Sequence, residues 1–286
     1  MPNPLLSLAA LAARLTPMPL KRALYRFSPL ARLIRSGLNR AVPRGLTRVQ
    51  VAGGGLQGVK MILDLQEEKD YWLGTYEPDL QVSVAQFARP GMVAYDAGAN
   101  IGYISLLMAK AVGESGRVFA FEALPANIER LRTNLALNGL EASVQVVEAA
   151  VTNQTGPIKF LIGPSAGMGK VSGSAGRQGD YAQSIPIQGL ALDDFVFEQG
   201  HPPPQMIKMD IEGGEVLALP GMRRLLREAH PLILLELHGS EAARVAWEEL
   251  SQMGYRICWM EAGYPEVGSL DALGWKAYIV ARYADG

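Results

Sequence analysis

The chain has 286 residues, 49% of them hydrophobic and 19% charged, enough apolar material to bury a full core in one domain with an extension. One cysteine, Cys258, excludes an internal disulfide, and its place in the apolar run YRICWM points to core packing rather than to a nucleophile. No apolar run approaches the length of a membrane-spanning helix.

The net charge of −1 conceals an asymmetry along the chain. Ten of the 27 basic residues precede Asp64 and none of the 28 acidic ones does, which leaves 17 basic against 28 acidic, or −11, for the remainder. Residues 1–45 therefore read as a basic helical arm, in which Leu20, Leu24, Tyr25, Phe27 and Leu30 interleave with arginines while Pro17, Pro19, Pro29 and Pro43 divide it into short helices. An anionic membrane surface, the acidic domain of this or a second copy of the chain, or a nucleic acid could each read such an arm. A helical cap, intramolecular or forming a homodimer, is favoured because the apolar stripe needs cover; peripheral membrane contact comes second and nucleic acid last. Leu5 to Ala13 resembles a short signal-peptide core, but no basic residue precedes it, so a cytoplasmic location is expected, membrane-peripheral if the arm lies on lipid.

From 46 to 286 the chain reads as one α/β domain. TRVQVAGGGLQGVKMILDL gives two strands joined by a glycine-rich turn, and Glu77-Pro78 opens a helix that ends before Pro90-Gly91. In VAYDAGANIGYISLLMA, Val93 to Ala109, a buried strand ending near Asp96 turns through glycines into a helix. Such a turn cradles a nucleotide: Gly98 is expected to let the backbone approach a ligand, and Gly102 to let the helix pack closely on the strand. The order Asp96-x-Gly98-x-x-x-Gly102 departs from GxGxxG and resembles the first motif of S-adenosylmethionine-dependent methyltransferases; an ordinary tight turn is the alternative.

RVFAFEALPANIERLRTNLALNGL, Arg117 to Leu140, gives a strand ending in Glu122 and a helix from about Ala126 to Asn138 that Gly139 stops. A carboxylate about 20 residues beyond the glycine turn can accept both hydroxyls of a ribose, so Glu122 is read as the ribose ligand. A third strand, about Val144 to Ala149, precedes an inserted pair near Ile158 to Ile162 and Ser184 to Gln188. Between these, Gly163 to Gly179 is too rich in glycine and serine to pack, which predicts a mobile lid or recognition flap, or else a passive linker. After two more strands, a helix from about Glu241 to Met253 leads to YRICWME and KAYIVARY. The irregular link between these last strands implies an antiparallel edge and argues against a nicotinamide enzyme.

Taken together, DAGANIG, FEALPANIERLRTNLALNG, IKMDIEGGE and LLELHG resemble the FkbM family of methyltransferases over about Tyr76 to Tyr283, with IKMDIEGGE the most specific part. The resemblance implies a Rossmann-like, seven-stranded class I methyltransferase sheet with an antiparallel last strand, here with the helical N-terminal extension. It implies methyl transfer from S-adenosyl-L-methionine, most often to a hydroxyl of a sugar, glycan or natural product and in some members to an amide nitrogen. Tyr76 and Glu77, just upstream of the cradle, would then touch the methionine end of the cofactor, with plain helix initiation as the alternative. The expected cofactor site comprises Tyr76, Glu77, Asp96, Gly98, Ala99, Asn100, Gly102, Glu122, Ala123, Ala150 and Asp210.

The chemistry is expected where the fourth and fifth strands end. Asp210 and Glu212 fall two apart, as do Glu236 and His238, so continued strand geometry would point each pair to one face. His238 is the best general base by its ordinary pKa, with Glu236, Asp210 and Glu212 orienting it or binding acceptor hydroxyls. Asp210, Glu236 and His238 could instead hold Mg²⁺ or Mn²⁺ to acidify the acceptor. Glu215 reads as a helix-start carboxylate, and His201 and His230, each before proline, as turn residues. A nicotinamide oxidoreductase and a catalytically silent binding module are the readings from other classes.

Overall fold

A computed structural model describes residues 11, 12, 14, 42, 44–163, 169–177, 179, 181 and 183–284. The predicted basic arm lies almost wholly outside the described residues, but Val42 at its end is buried and accepts a hydrogen bond from Gln66 Nε2. Among the described residues no helix is long and apolar enough to cross a membrane.

The predicted hairpin forms from β1, Leu46–Gln50, and β2, Lys60–Asp64, paired antiparallel. A short helix that the sequence reading missed, α1 at Lys69–Leu73, follows it, and α2, Pro78–Phe87, begins at the predicted Glu77-Pro78 step. The central sheet takes β3 (Val93–Ala97), β4 (Arg117–Glu122) and β5 (Val144–Glu148) outward to one side, with α3 (Tyr103–Val112) and α4 (Pro125–Ala136) as crossovers. An inserted sheet joins β6 (Ala150–Val151), β7 (Gly156–Ile162), β8 (Gly169–Val171) and β9 (Gln183–Leu190) in the order β6-β9-β7-β8.

The chain then returns to the middle of the large sheet. β10 (Met206–Met209) pairs in parallel with β3, and β11 (Leu232–His238) lies beyond it, after the helices α5 (Glu215–Ala218) and α6 (Arg223–Ala229). After α7 (Ser240–Gln252), β12 (Tyr255–Trp259) takes the edge and β13 (Lys276–Tyr283) inserts antiparallel between it and β11. The order β12-β13-β11-β10-β3-β4-β5 is a seven-stranded, mostly parallel sheet with an antiparallel last strand, as expected. Its order reverses between β3 and β10, and such a switch point opens a crevice at the carboxyl ends of the strands.

Side-chain parity decides what faces that crevice. Ala94, Val118, Met206 and Leu234 belong to one core layer, while Tyr95, Phe119, Ile207 and Ile233 belong to the layer on the opposite face. Asp96, Glu122, Lys208, Glu236 and His238 share the parity of the first layer, so the pleat carries all five toward the same side. Register does the rest, since Lys208 sits directly opposite Asp96 and Glu122 closes its strand two positions after Asp96's partner Ala120.

One expectation needs correction. The segment Gly163 to Gly179, predicted not to pack, contributes strand β8, and Lys170, Val171, Ser174 and Ala175 within it are buried; 164–168 lie outside the described residues. Its glycines are offset by Lys170, whose Nζ donates to the carbonyls of Ala175 and Arg177, and by Ala175 N, which donates to Gly213 O. The cradle glycines also answer to contacts within the protein. A Cβ on Gly98 would lie 2.0 Å from Asp210 O, and one on Gly102 would lie 2.4 Å from Leu131 Cδ1 on α4, both at positive φ. Gly98 thus lets β10 close on the turn, and Gly102 lets α3 start against α4.

Candidate active site

The crevice at the switch point holds an open cleft. Of the cofactor residues expected from sequence, Tyr76, Gly98, Ala99, Asn100, Glu122, Ala123, Ala150 and Asp210 line it, and so does Glu212. Gly102, Asp96 and Glu77 do not. Asp96 lies fully buried beneath the turn, accepting from Ser105 Oγ at 2.6 Å and facing Lys208 Nζ at 3.4 Å, so it supports the cradle from below. Tyr71, Tyr103 and Lys208 line the cleft without having been singled out, and Tyr71, Tyr76 and Tyr103 pack as one aromatic cluster with centroids 4.3 to 5.6 Å apart.

Glu122 stands where predicted but is not an exposed strand-end carboxylate. Its Oε2 accepts from Asn100 N at 2.8 Å, and its Oε1 from Ala123 N at 3.0 Å and Leu124 N at 2.9 Å. Burial raises its pKa against the opposing pull of these bonds and one to Asn127. A carboxylate offers about four acceptor directions, so a ribose hydroxyl has to displace a donor, and Asn127 is the one carried by a side chain.

The acidic cluster does assemble, by a route different from the one expected. β10 stops at Met209, and Glu212 takes a left-handed φ of 54°, so a turn rather than extended strand brings Glu212 round. Glu215, fully buried, holds that turn by accepting from Ile211 N at 3.2 Å and Gly213 N at 3.4 Å, the backbone role read from sequence. His238 Nε2 then lies 3.0 Å from Glu236 Oε1 and 3.9 Å from both Asp210 Oδ1 and Glu212 Oε2, with Glu215 Oε1 3.7 Å from Nδ1. His201 and His230 are away from the site, stacked on Phe195 and Tyr283.

Three cations of the chain compensate these carboxylates. Lys276, paired in register with His238, bonds Glu236 Oε1, and Lys208, 4% exposed, donates to Gly98 O at 3.0 Å and lies 4.0 Å from Asp210 Oδ2. The third is His238. Burial pulls its pKa down, but the carboxylates of Glu215, Glu236 and Asp210 outweigh burial and push it up to about 10. Glu236 shows the counterpart: burial favours its neutral form, yet His238 and Lys276 hold it at about 2.

These carboxylates favour the imidazolium, and a protonated imidazole cannot take the acceptor proton, which sets the expected part of His238 as base against its surroundings. Asp210 both lines the cleft and faces His238, and burial, only partly offset by Lys208, raises its carboxyl to about 6. Glu77 is raised to about 8 by burial and by the charges of Asp210 and Glu236, so it is mostly a neutral carboxyl at pH 7. A ¹³C-edited NMR titration of the three histidines should show His238 titrating near pH 10, not near the ordinary value of about 6.5. The linked stabilisation is complete below about 6.5 and is lost as pH rises through about 10. A His238 midpoint between pH 6 and 7 in the ligand-free chain would remove the imidazolium from the site.

Asp210, Glu236 and His238 also offer three ligand atoms within 4.8 Å of one another, a donor set compatible with a divalent ion. That geometry is matched against the proton on His238 and the ammonium of Lys276, both of which an ion would have to displace.

The sequence matches the family model described as the methyltransferase FkbM domain over residues 96–257, from the buried aspartate of the cradle to the edge strand. It is similar to the hexuronic acid methyltransferase AglP of Haloferax volcanii, 28% identical over 164 residues, which cover 57% of this chain and 62% of that protein. A shorter stretch of 59 residues is 42% identical to a protein-L-isoaspartate O-methyltransferase of Aeropyrum pernix, covering 21% of this chain and 23% of that one. The chain thus spans less than two thirds of the length of either relative. Among solved structures it is similar to the methyltransferase FkbM of Methylobacillus flagellatus KT, with 18% identity, a TM-score of 0.43, and coverage of 77% of this chain and 53% of that chain. A SAM-dependent O-methyltransferase from Thermotoga maritima gives 15% identity, a TM-score of 0.45, and coverage of 89% and 82%.

Proposed function

The chain belongs to the FkbM methyltransferase family, and on that premise we propose that it transfers a methyl group from S-adenosylmethionine to a hydroxyl of a sugar or glycan. The observation that carries this reading is the position of Asp210, which forms part of the cleft wall and also faces the His238 cluster. The similarity to a hexuronic acid methyltransferase supports a sugar as acceptor. An amide nitrogen of a peptide natural product is the alternative acceptor.

The residues present fit the cofactor. Glu122 and the backbone of Gly98 to Ile101, which line the cleft, would hold the nucleoside, while Tyr71, Tyr76 and Asp210 would offer the ring faces and negative charge that suit a sulfonium. When bound, S-adenosylmethionine supplies a methyl group on a cationic sulfur that is displaced in line by the acceptor oxygen. Asp210 takes the acceptor proton, and Lys208 and His238⁺ keep its carboxylate ionised between turnovers. Glu236, held by Lys276, fixes the imidazolium. A divalent ion on Asp210, Glu236 and His238 is the second reading, favoured by their convergence. Activity that vanishes with a chelator and returns with Mg²⁺ or Mn²⁺ would select it.

Calorimetry with S-adenosylhomocysteine should show binding, and Glu122→Gln should weaken it by about 1 to 3 kcal/mol, because the new amide N–H₂ opposes backbone donors that the carboxylate accepted. Tight NAD binding with no binding of the S-adenosyl ligand would sink the reading.

A further inference from the structure

Trp275 is one of four large hydrophobic residues exposed among the described residues, at 48%, and it is the one that stands beside the acidic cluster. Its ring meets the His238 ring edge-on with centroids 6.3 Å apart. The position is fixed from behind. Trp275 O accepts from Gly239 N at 2.6 Å, just past the end of β11, and the next residue, Lys276, is tied to Glu236. A single exposed apolar side chain is ordinary in itself; what marks this indole is its place against His238.

A cation lies over the same indole. The Arg177 guanidinium carbon is 5.9 Å from the Trp275 ring centroid, and the Arg177 backbone is pinned by Lys170 Nζ, which donates to its carbonyl at 2.8 Å. Arg177 is exposed, and no carboxylate pairs with its guanidinium among the described residues. The glycine-rich insertion thus brings a cation to the rim of a cluster whose carboxylates, Asp210, Glu212, Glu215 and Glu236, are only partly balanced by Lys208, Lys276 and His238.

We propose that Trp275 and Arg177 form the acceptor subsite, in which the indole stacks on the apolar face of a pyranose ring and the guanidinium pairs with a carboxylate that the sugar carries. The inference rests on the sugar-hydroxyl reading above and narrows it to an anionic pyranoside. The parts suit that class: an aromatic face takes up the axial C–H surface of a sugar, and a planar guanidinium pairs with a carboxylate through two parallel hydrogen bonds. His238 touches this platform and faces Asp210, which lines the cleft. A free Lys in place of Arg177 would supply the charge without the fork.

The test uses the full chain loaded with S-adenosylhomocysteine, whose binding is measured first and separately by calorimetry. Saturation-transfer NMR and indole fluorescence are then followed on adding methyl glucuronide and, in parallel, methyl glucoside. The glucuronide should bind at least tenfold more tightly than the glucoside. Trp275→Ala should weaken both sugars tenfold or more and Trp275→Phe much less, while Arg177→Gln should reduce the glucuronide to the level of the glucoside and Arg177→Lys restore part of the difference. S-adenosylhomocysteine affinity and the melting temperature should be unchanged in all four variants. Equal binding of the two sugars by the wild-type chain, binding of neither, or unaltered binding by Trp275→Ala overturns the subsite. Loss of S-adenosylhomocysteine binding by the wild-type chain would instead overturn the methyltransferase reading itself.

Discussion

Replacing Lys208 by methionine should destabilise the chain by about 3 to 5 kcal/mol, the cost of removing one partner from a buried ion pair and leaving the other uncompensated. Lys208 is 4% exposed and Asp96 0%, so no water reaches Asp96 to replace the lost ammonium. The carbonyl of Gly98 loses its donor in the same step, and Asp210 loses the stronger of the two cationic influences that oppose the effect of burial on its carboxyl. Methionine fills a similar volume, which separates the charge effect from a cavity effect. Urea denaturation measures the loss. The double variant Lys208→Met with Asp96→Asn should recover much of it, because Asn keeps a partner for Ser105 while the orphaned charge disappears. A single-variant cost under about 1 kcal/mol, with no gain in the double variant, would mean that the pair holds nothing together.

Asp210→Asn should lower turnover by about 10² to 10⁴, the range that a positioned general base contributes, while S-adenosylhomocysteine binding changes much less. The asparagine preserves the shape of the cleft wall and removes only the proton acceptor. The wild-type rate should rise through about pH 6 as Asp210 loses its proton, and this limb should be absent from the residual rate of the variant. His238→Gln should also slow turnover, by removing the imidazolium that faces Asp210, and should move the acid limb upward. Full activity in Asp210→Asn would return the proton to Glu236 or to a metal-bound group.

The large sheet was legible because its information is local. Strand by strand, the turn glycines, Glu122 at its strand tip and the irregular link before Lys276–Tyr283 each announce a boundary or a direction, and none needs a distant partner. The acidic cluster was legible for a similar reason, since Asp210, Glu212, Glu236 and His238 all fall at predicted strand ends. Lys208 carried a signal that went unused: a lysine inside the run MIKM, where all four residues are buried, must be paired, and Asp96 was the acid nearest in topology. Trp275 and Arg177 carried none, because nothing in a loop sequence says which loop it will meet.

The sequence by itself determined the fold class, the place of the cleft and the identity of the carboxylates, because hydrophobic period and turn chemistry act over a few residues. Only the tertiary structure decided what those groups can do. Whether His238 is a base or an imidazolium depends on how many carboxylates reach it across three strands and a turn, and whether Glu122 has a free lone pair depends on the backbone N–H groups of Asn100, Ala123 and Leu124. The described part of the glycine-rich insertion packs for the same reason: a buried lysine and the turn at Gly213 supply the hydrogen bonds that its composition lacks. Protonation states and polar satisfaction are sums over neighbours in space, and the neighbours are chosen by the register of the sheet.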